Sequence, residues 1–359
     1  MKGKLSNSDS DIPDETASGV WPPEGLESVA NCPVCGSRER RLLLTNLRDV
    51  IFFVAPGAWD LFECTECKSS YLDPRPTPET IHIAYSNYYT HVPAWSDKKE
   101  NITLSLLQKF RLQIELEYIS HRYGGNFRSR LPLTRLAIYL LLRRKRAVDA
   151  RYRFMPKPTS GFHLLDVGFG GGGYLLLAQE CGWQVSGIDS DLEVVRNAKN
   201  KGLNVKQGAF DEISGQSEKY DAITMSHVIE HMHDPVRAIN HAYDLLKPKG
   251  KVLIETPNIE SYGFHIFGRY WRGLETPRHL VLFSMLGLRR ELIRAGFVKI
   301  EFHSRNVGRS MFLKSEKIML GLDPYDETKL KIGRFRKIIA LLGGVRPRRA
   351  EFLTVVAQK

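Results

Sequence analysis

The chain has 359 residues, 42% of them hydrophobic and 26% charged, which is typical of a globular protein of about two domains. Lys and Arg outnumber Asp and Glu by 52 to 40, so the formal net charge is +12. We expect no signal peptide within residues 1–20 and no apolar run of the ~18 residues needed to cross a bilayer, hence a cytoplasmic protein. The basic charge leaves two interpretations open: attraction to phosphate-rich partners, or a solvated cationic surface.

Changes in composition divide the chain into four predicted parts. Residues 1–28 are rich in Ser, Asp, Pro and Gly and predict a disordered tail. Residues 29–78 carry two pairs of cysteines, and residues 79–160 show apolar side chains at helical spacing. From residue 161 to 359, short apolar strands alternate with helices, which predicts βαβ crossovers and a parallel sheet. A basic insertion at residues 305–350 precedes the final strand.

Two Cys-x-x-Cys pairs, Cys32 with Cys35 and Cys64 with Cys67, form the first motif. Four thiolates on two such turns can hold Zn²⁺ tetrahedrally at about 2.3 Å, and a site closed in this way is structural rather than catalytic. Close pairs of cysteines also fit a reducing compartment better than a disulfide framework. We therefore predict structural zinc; an iron site, a redox pair or a degenerate knuckle are the alternatives.

The second motif is a glycine-rich turn that follows a predicted strand at residues 162–167 and opens a helix. Gly168, Gly170 and Gly172 alternate along it after Asp166, and Asp189 ends the next predicted strand. A carboxylate there can accept hydrogen bonds from both ribose hydroxyls of an adenosine-containing cofactor. NAD would place a pyrophosphate at the helix start, where Asp166 would repel it. The motif therefore favours S-adenosylmethionine (SAM), whose ammonium group Asp166 could receive.

Residues 162–302 resemble class I SAM-dependent methyltransferases. The resemblance rests on LDVGFGGG at residues 165–172, GID at 187–189, YDAITMSHVIEH at 220–231, LKPKGK at 246–251 and AGF at 295–297. It implies an α/β, Rossmann-like sheet of seven strands in the order 3-2-1-4-5-7-6, with strand 7 antiparallel. The cofactor contacts that it implies are Asp166, Gly168, Phe169, Gly170, Gly172, Asp189, Ser190, Ala209, Phe210, Ser226 and His227. The family often has an adenine-binding Asp where this chain has Ala209, so the local backbone or Asp211 would replace it.

The cysteine pairs, together with YLDPRP at residues 71–76 and FGRYWRGLETPRHL at 267–280, are similar to a bacterial methyltransferase group with an N-terminal four-Cys zinc knuckle. Members are often associated with surface-polysaccharide, sugar or other secondary biosynthesis. The resemblance implies a small-molecule or glycan acceptor, with O-methylation favoured. We expect the acceptor beyond the carboxyl ends of strands four and five, where His231 and His279 are candidate general bases. Histidines that only bond the backbone are the alternative. Arg278 is a candidate holder of an acidic acceptor, and Tyr270 and Trp271 could stack on a ring or lie in a core.

Two further hypotheses stay open. The basic charge and the zinc ribbon suggest an RNA methyltransferase, although no RNA-recognition motif is seen and nucleic acid is disfavoured. A non-catalytic scaffold with a vestigial cofactor fold is the other, and the intact Asp166 and Asp189 argue against it. The Arg-rich block at residues 143–146 and the insertion at 305–350 also carry apolar clusters. They could contact an anionic membrane surface peripherally, or pack on the domain with their basic faces in water.

Overall fold

The computed structural model describes residues 19–86, 105–125, 134–213, 217–305, 307–326, 329–330 and 332–359. The strands are Leu26–Glu27 (β1), Arg40–Leu47 (β2), Trp59–Cys64 (β3), Ser70–Leu72 (β4), Arg75–Pro76 (β5), His163–Val167 (β6), Gln184–Asp189 (β7), Val205–Gln207 (β8), Tyr220–Ser226 (β9), Leu246–Pro257 (β10), Val281–Leu282 (β11), Val298–His303 (β12) and Phe352–Gln358 (β13). The α-helices are Leu106–Tyr123 (α1), Leu142–Arg151 (α2), Gly173–Glu180 (α3), Leu192–Asn200 (α4), Pro235–Leu245 (α5), Tyr262–Phe267 (α6), Met285–Arg294 (α7), Gly308–Met319 (α8) and Arg334–Gly343 (α9).

Seven strands form the main sheet in the order β12-β13-β10-β9-β6-β7-β8. Strands β8, β7, β6, β9 and β10 run parallel to one another, whereas β13 pairs antiparallel with both β10 and β12. Numbered by their order in the chain, the strands follow 3-2-1-4-5-7-6. The predicted α/β fold class, topology and antiparallel last strand are therefore confirmed.

Both faces of the main sheet are covered, because its central strands are apolar on each side. Leu165 and Ile254 face α5 and α7, while Leu164 and Leu253 face α3 and α4 on the opposite side. Side chains that alternate in this way are what a parallel sheet buried on both faces requires. Helix starts are fixed by short polar caps; for example, Asp191 accepts hydrogen bonds from the first amides of α4.

A second, four-stranded antiparallel sheet has the order β11-β4-β3-β2. Its strands β2 to β4 come from the cysteine-containing part, whereas β11 comes from the chain between β10 and α7. The amide of Leu72 also donates to the carbonyl of Leu280 at 3.1 Å. The small sheet thus crosses the predicted boundary between the zinc-ribbon module and the methyltransferase domain and joins the two.

The predicted disordered tail is incorrect for residues 19–28. Trp21 is 2% exposed and its ring meets that of Trp59 edge-on at 5.1 Å. Strand β1 pairs with β5, which fixes the chain on both sides of the turn at Pro23–Gly25. Two large indole rings bury enough apolar surface to order a short segment that is otherwise polar. Residues 1–18 lie outside the described residues.

The predicted helical part, residues 79–160, contains α1 and α2, but Thr134–Leu140 is a 3₁₀-helix. The sequence also predicts that Pro132 starts a helix, and this residue lies outside the described residues. In the parts of the chain that the structure describes, no helix is both long and apolar enough to cross a membrane.

Candidate functional site

The glycine-rich turn joins β6 to α3 and has left-handed backbone angles at alternate positions. The φ angles are +63° at Gly168, +53° at Gly170 and +74° at Gly172, a region that side chains disfavour. A β-carbon at Gly168 would lie 2.4 Å from Val228 Cγ2, whereas one at Gly170 would meet open space. The turn therefore presents bare backbone at Gly170, where a ligand can approach closely.

Asp189, at the end of β7, lies against this turn. Its carboxylate accepts hydrogen bonds from the amides of Gly170 at 3.0 Å and Asp191 at 3.1 Å. The amide of Gly208 donates to the Asp189 carbonyl at 3.0 Å, which brings the loop after β8 to the same edge. The structure thus assembles the predicted acid, the predicted turn and the chain segment of Ala209 and Phe210.

Asp166 is fully buried at the end of β6 and forms an ion pair with Arg153. Thr224 on the neighbouring strand β9 donates to the same carboxylate oxygen at 2.7 Å. Burial raises the pKa of Asp166, and the Arg153 charge opposes that rise. The other carboxylate oxygen accepts no hydrogen bond from the described residues. A buried acceptor without a donor is costly, so it indicates a place for a ligand's donor group.

Arg153 is a site residue that the sequence reasoning missed. It follows α2, outside any motif, and its guanidinium also stacks 3.9 Å from the centroid of the Tyr174 ring. Arg153 and the next residue, Phe154, have positive φ angles of 49° and 54°. Two successive non-glycine residues in this region carry backbone strain, which commonly accompanies functional sites.

His227, directly after β9, lies between two buried carboxylates. Its ring nitrogens are 3.4 Å from Glu230 Oε1 and 3.4 Å from Glu255 Oε1. Burial alone would lower the pKa of His227, but the two carboxylates raise it to about 9. Glu255 also pairs with Arg305 and accepts from Ser226 Oγ at 3.3 Å. The imidazole is therefore positively charged at neutral pH and sits beside the carboxyl end of β10.

The charged state of His227 predicts a pH dependence of stability. Its pKa in the folded protein, about 9, lies above the ordinary 6.5, so its stabilising contribution is complete below pH 6.5 and is lost as the pH rises through 9. Because the side chain is 40% exposed, solvent screening limits the contribution to about 1 kcal/mol. We expect the stability difference between wild type and His227→Gln to shrink by that amount in urea denaturation between pH ~6 and ~9.5. The exposed His82→Gln is the matched control, and a His227→Gln profile parallel to wild type would contradict the assignment.

The predicted bases His231 and His279 lie together, with ring centroids 4.8 Å apart. His279 Nδ1 donates to the Gly273 carbonyl at 2.8 Å, and His231 Nδ1 lies 3.0 Å from the Arg278 carbonyl. These carbonyls accept only, so the proton is assigned to Nδ1 and the lone pair to Nε2 in both rings. Burial lowers the pKa of His279 to about 4, so this ring is neutral at pH 7. Both rings bond the backbone, as the alternative interpretation expected, and each keeps a nitrogen that can accept a proton.

Glu230 and Tyr85 complete this cluster. The Tyr85 hydroxyl lies 2.9 Å from His231 Nδ1, and Tyr85 comes from the segment that follows β5. One ligand atom each of Glu230, His231 and His279 lies within 4.8 Å of the others, a spacing that could hold a cation. The cluster was only partly foreseen, because Tyr85 is 146 residues from His231 and carries no motif.

The four cysteines of the two knuckles converge on one point. Cys32 Sγ lies 3.6 Å from Cys67 Sγ, and Cys35 Sγ lies 3.5 Å from Cys64 Sγ. A tetrahedral zinc site with Zn–S distances of about 2.3 Å has Sγ–Sγ edges of about 3.8 Å, so the donor set fits this ion. Gly36 closes the first knuckle with φ +77°, and Lys68 takes the same role in the second with φ +62°. All four are free cysteines.

Other predicted residues have different surroundings from those expected. The Phe169 and Phe210 side chains are buried in the core, so only their backbones can reach a ligand. Asp211, the proposed substitute for the adenine-binding acid, instead lies 3.7 Å from Arg237. Ser190 is exposed, and its carbonyl accepts from Gln207.

Arg278 and Trp271 are structural. Arg278 pairs with Asp49 at 2.9 Å, and both side chains are completely buried, so this guanidinium joins the N-terminal part of the chain to the segment that carries His279. Trp271 is 1% exposed and its indole donates to Glu351 at 2.8 Å, which places it in a core rather than against a sugar.

Comparison with known proteins agrees with this geometry. Residues 139–301 match the family model described as a methyltransferase domain, which spans the glycine turn, Asp189 and both histidines of the cluster. This match assigns residues 139–301 to a methyltransferase domain.

Curated relatives of the chain include two ubiquinone biosynthesis O-methyltransferases. That of Coxiella burnetii (strain RSA 493 / Nine Mile phase I) is 31% identical over 116 residues, which are 30% of this chain and 50% of the relative. That of Methylocella silvestris is 29% identical over 153 residues, 36% of this chain and 59% of the relative. The chain thus matches about half the length of these relatives.

A SAM-dependent methyltransferase structure from Archaeoglobus fulgidus aligns with a TM-score of 0.42 and 20% identity, covering 62% of this chain and 99% of that one.

Proposed function

We propose that the protein transfers the methyl group of SAM to a small-molecule or glycan acceptor, with an oxygen atom favoured. The observation that carries the proposal is the buried Asp166–Arg153 pair beside the glycine turn and Asp189. An amino-acid zwitterion is complementary to such a pair, because Asp166 can receive its ammonium and Arg153 its carboxylate. Asp189 would hold the ribose hydroxyls.

When bound, SAM supplies a methyl group on a sulfonium, which an acceptor atom displaces in line. The residues of this chain orient the acceptor and handle its proton. His231 is half-buried and keeps a lone pair on Nε2, so it can accept the proton of an acceptor hydroxyl. His279, buried behind it, positions His231 through their ring contact. The relatives' name as O-methyltransferases supports an oxygen acceptor.

The cofactor assignment predicts that Asp189→Ala weakens SAM binding about a hundredfold. Losing two hydrogen bonds to a charged group costs about 3 kcal/mol, which corresponds to that factor in Kd. Isothermal titration of the purified protein with SAM and S-adenosylhomocysteine measures it. Asp211→Ala removes a neighbouring carboxylate that pairs with Arg237, and this control should bind normally. If wild type binds neither compound, the proposal is wrong.

The acceptor class is tested by label transfer from methyl-labelled SAM into fractionated cell extract. We expect label in a small-molecule or glycan fraction, and none with His231→Ala even though that variant still binds SAM. Label that ribonuclease releases would instead identify an RNA methyltransferase. SAM binding without labelling of any fraction would favour the non-catalytic scaffold.

We also propose that the four cysteines hold zinc in a structural role. The distances between the Sγ atoms fit a tetrahedral ion, and a site closed by four thiolates leaves no position for a substrate.

A further inference from the structure

Two segments of the described chain contain cations but no acids. Residues 136–148 hold four Lys and Arg, residues 332–349 hold six, and neither contains Asp or Glu. These ten cations account for most of the formal net charge of +12. The basic character of the protein is therefore concentrated in these two segments, which we call the basic face.

The two segments of the basic face are neighbours in space. Arg146 of α2 donates to the carbonyl of Gly344, which ends α9, at 3.3 Å. Lys145 and Arg146 from the first segment and Val345 and Pro347 from the second line one cavity of about 410 Å³. Residues almost 200 positions apart in the chain thus form one continuous surface.

Both segments of the basic face expose large apolar side chains. They are Leu136, Tyr139, Leu140 and Leu142 in the first segment and Phe335, Ile338, Leu341, Leu342 and Val345 in the second, with exposed fractions from 38% to 87%. In α9 the residues 335, 338 and 342 recur at helical spacing, while Ala340 faces the protein. Soluble surfaces rarely expose so many neighbouring apolar groups without a partner.

Some cations of the basic face are available for an external partner. Arg144 and Arg336 pair with Glu115 and Glu316, but the exposed Arg143, Arg334 and Lys337 form no ion pair with any residue that the structure describes. Exposed cations alternating with exposed Leu, Ile and Phe are the composition of a surface helix that lies in a lipid interface. A nucleic acid would use the cations but would leave these aliphatic groups in water.

We propose that the basic face binds the surface of an anionic lipid bilayer. The apolar side chains of α9 and of Thr134–Leu140 enter the interface, and the unpaired cations lie at the lipid phosphates. The residues of the basic face named here belong neither to the glycine turn nor to the histidine cluster, so the inference does not depend on the proposed methyl transfer. It places the protein where a lipid-soluble acceptor would be found.

The test is co-sedimentation of the full chain with vesicles of phosphatidylcholine, alone or with about one quarter phosphatidylglycerol. We expect at least about tenfold tighter binding to the anionic vesicles, and weaker binding as salt is raised. The triple variant Leu140→Ser, Phe335→Ser, Ile338→Ser keeps every charge and should weaken binding about tenfold. The matched control, Leu192→Ser, Leu286→Ser, Ile293→Ser, removes exposed apolar groups elsewhere and should bind as wild type does.

Three outcomes would overturn the inference. They are equal or no binding to the two vesicle types, wild-type binding by the first triple variant, and tighter binding to single-stranded RNA that displaces the vesicles. SAM titration of the same variants shows whether the fold is intact. A variant that binds SAM normally but not vesicles separates a membrane role from the proposed methyl transfer.

Discussion

Replacing Cys64 with serine is expected to release zinc and to unfold the small sheet. Cys64 and Cys67 are completely buried, and they belong to the same apolar core as Leu280 and Leu288 of the methyltransferase part. Structural zinc contributes about 10–16 kcal/mol in isolated zinc-finger peptides, so its loss is comparable to the whole stability of a typical domain. In the Cys64→Ser variant we expect the small sheet to unfold at a lower temperature than the main sheet, or to be unfolded already at the start of the thermal scan.

Metal analysis and differential scanning calorimetry together measure this effect. Wild type should contain one zinc per chain, and Cys64→Ser none. Cys181→Ser is the control. Cys181 is 5% exposed and lies far from the knuckles in the chain, in the core around α3, where burial raises the pKa of its thiol to about 11. That variant should keep its zinc. A Cys64→Ser protein that retains the metal, or a wild type without it, would contradict the assignment.

Loss of zinc should also displace the side chains of the histidine cluster. Strand β4, which follows the second knuckle, pairs with β11, and His279 lies two residues before that strand. The knuckle therefore supports one of the candidate bases through three residues of hydrogen-bonded sheet.

The main sheet could be predicted almost completely from the sequence. Strand β6, for example, was expected at residues 162–167 and is found at His163–Val167. Short apolar runs bounded by Gly or by an acid are local signals, and the order of strands followed from the family resemblance. The glycine turn and Asp189 were predictable for the same reason, since their spacing is local.

Contacts between distant segments could not be predicted. Arg153 belongs to no motif, and its ion pair with Asp166 forms only because tertiary packing brings the residue after α2 to the end of β6. The β11 strand has two residues, too few for a periodic pattern. Lys68 adopts the left-handed conformation that Gly36 suggested for the first knuckle, although nothing in its residue type indicates it. In each case tertiary packing decides the outcome rather than local preference.

Arg278→Met should destabilise the protein by about 3 kcal/mol, the lower end of what breaking a buried ion pair costs. Arg278 and Asp49 are both completely buried, 229 residues apart in the chain. Burial alone would raise the pKa of Asp49, but Arg278 and neighbouring amides keep that pKa below its usual range. Without Arg278 the carboxylate stays buried and is stabilised by the amides of Ile51, Phe52, Val54 and Ala55. Because these amide hydrogen bonds remain, we expect the loss of stability to lie at the lower end of the range for a broken buried ion pair.

Urea denaturation of matched variants separates the ion pair from its surroundings. Arg41→Met is the matched variant, because it breaks an exposed ion pair with Glu63 in which the Arg41 side chain is 65% exposed. This change should lower the free energy of unfolding by less than about 1 kcal/mol. Asp49→Asn combined with Arg278→Met should be less damaging than the two single changes added together, because no buried charge then remains. Equal costs for Arg278→Met and Arg41→Met would show that the buried pair contributes little.

The same pair fixes the geometry of the candidate base. His279 follows Arg278 directly, and the Arg278 carbonyl is the acceptor for His231. Breaking the Asp49 contact should therefore displace both rings while the glycine turn and Asp189 stay in place. We expect Arg278→Met to bind SAM with wild-type affinity yet to transfer no label. A variant that loses SAM binding as well would show that the cofactor site depends on the N-terminal module.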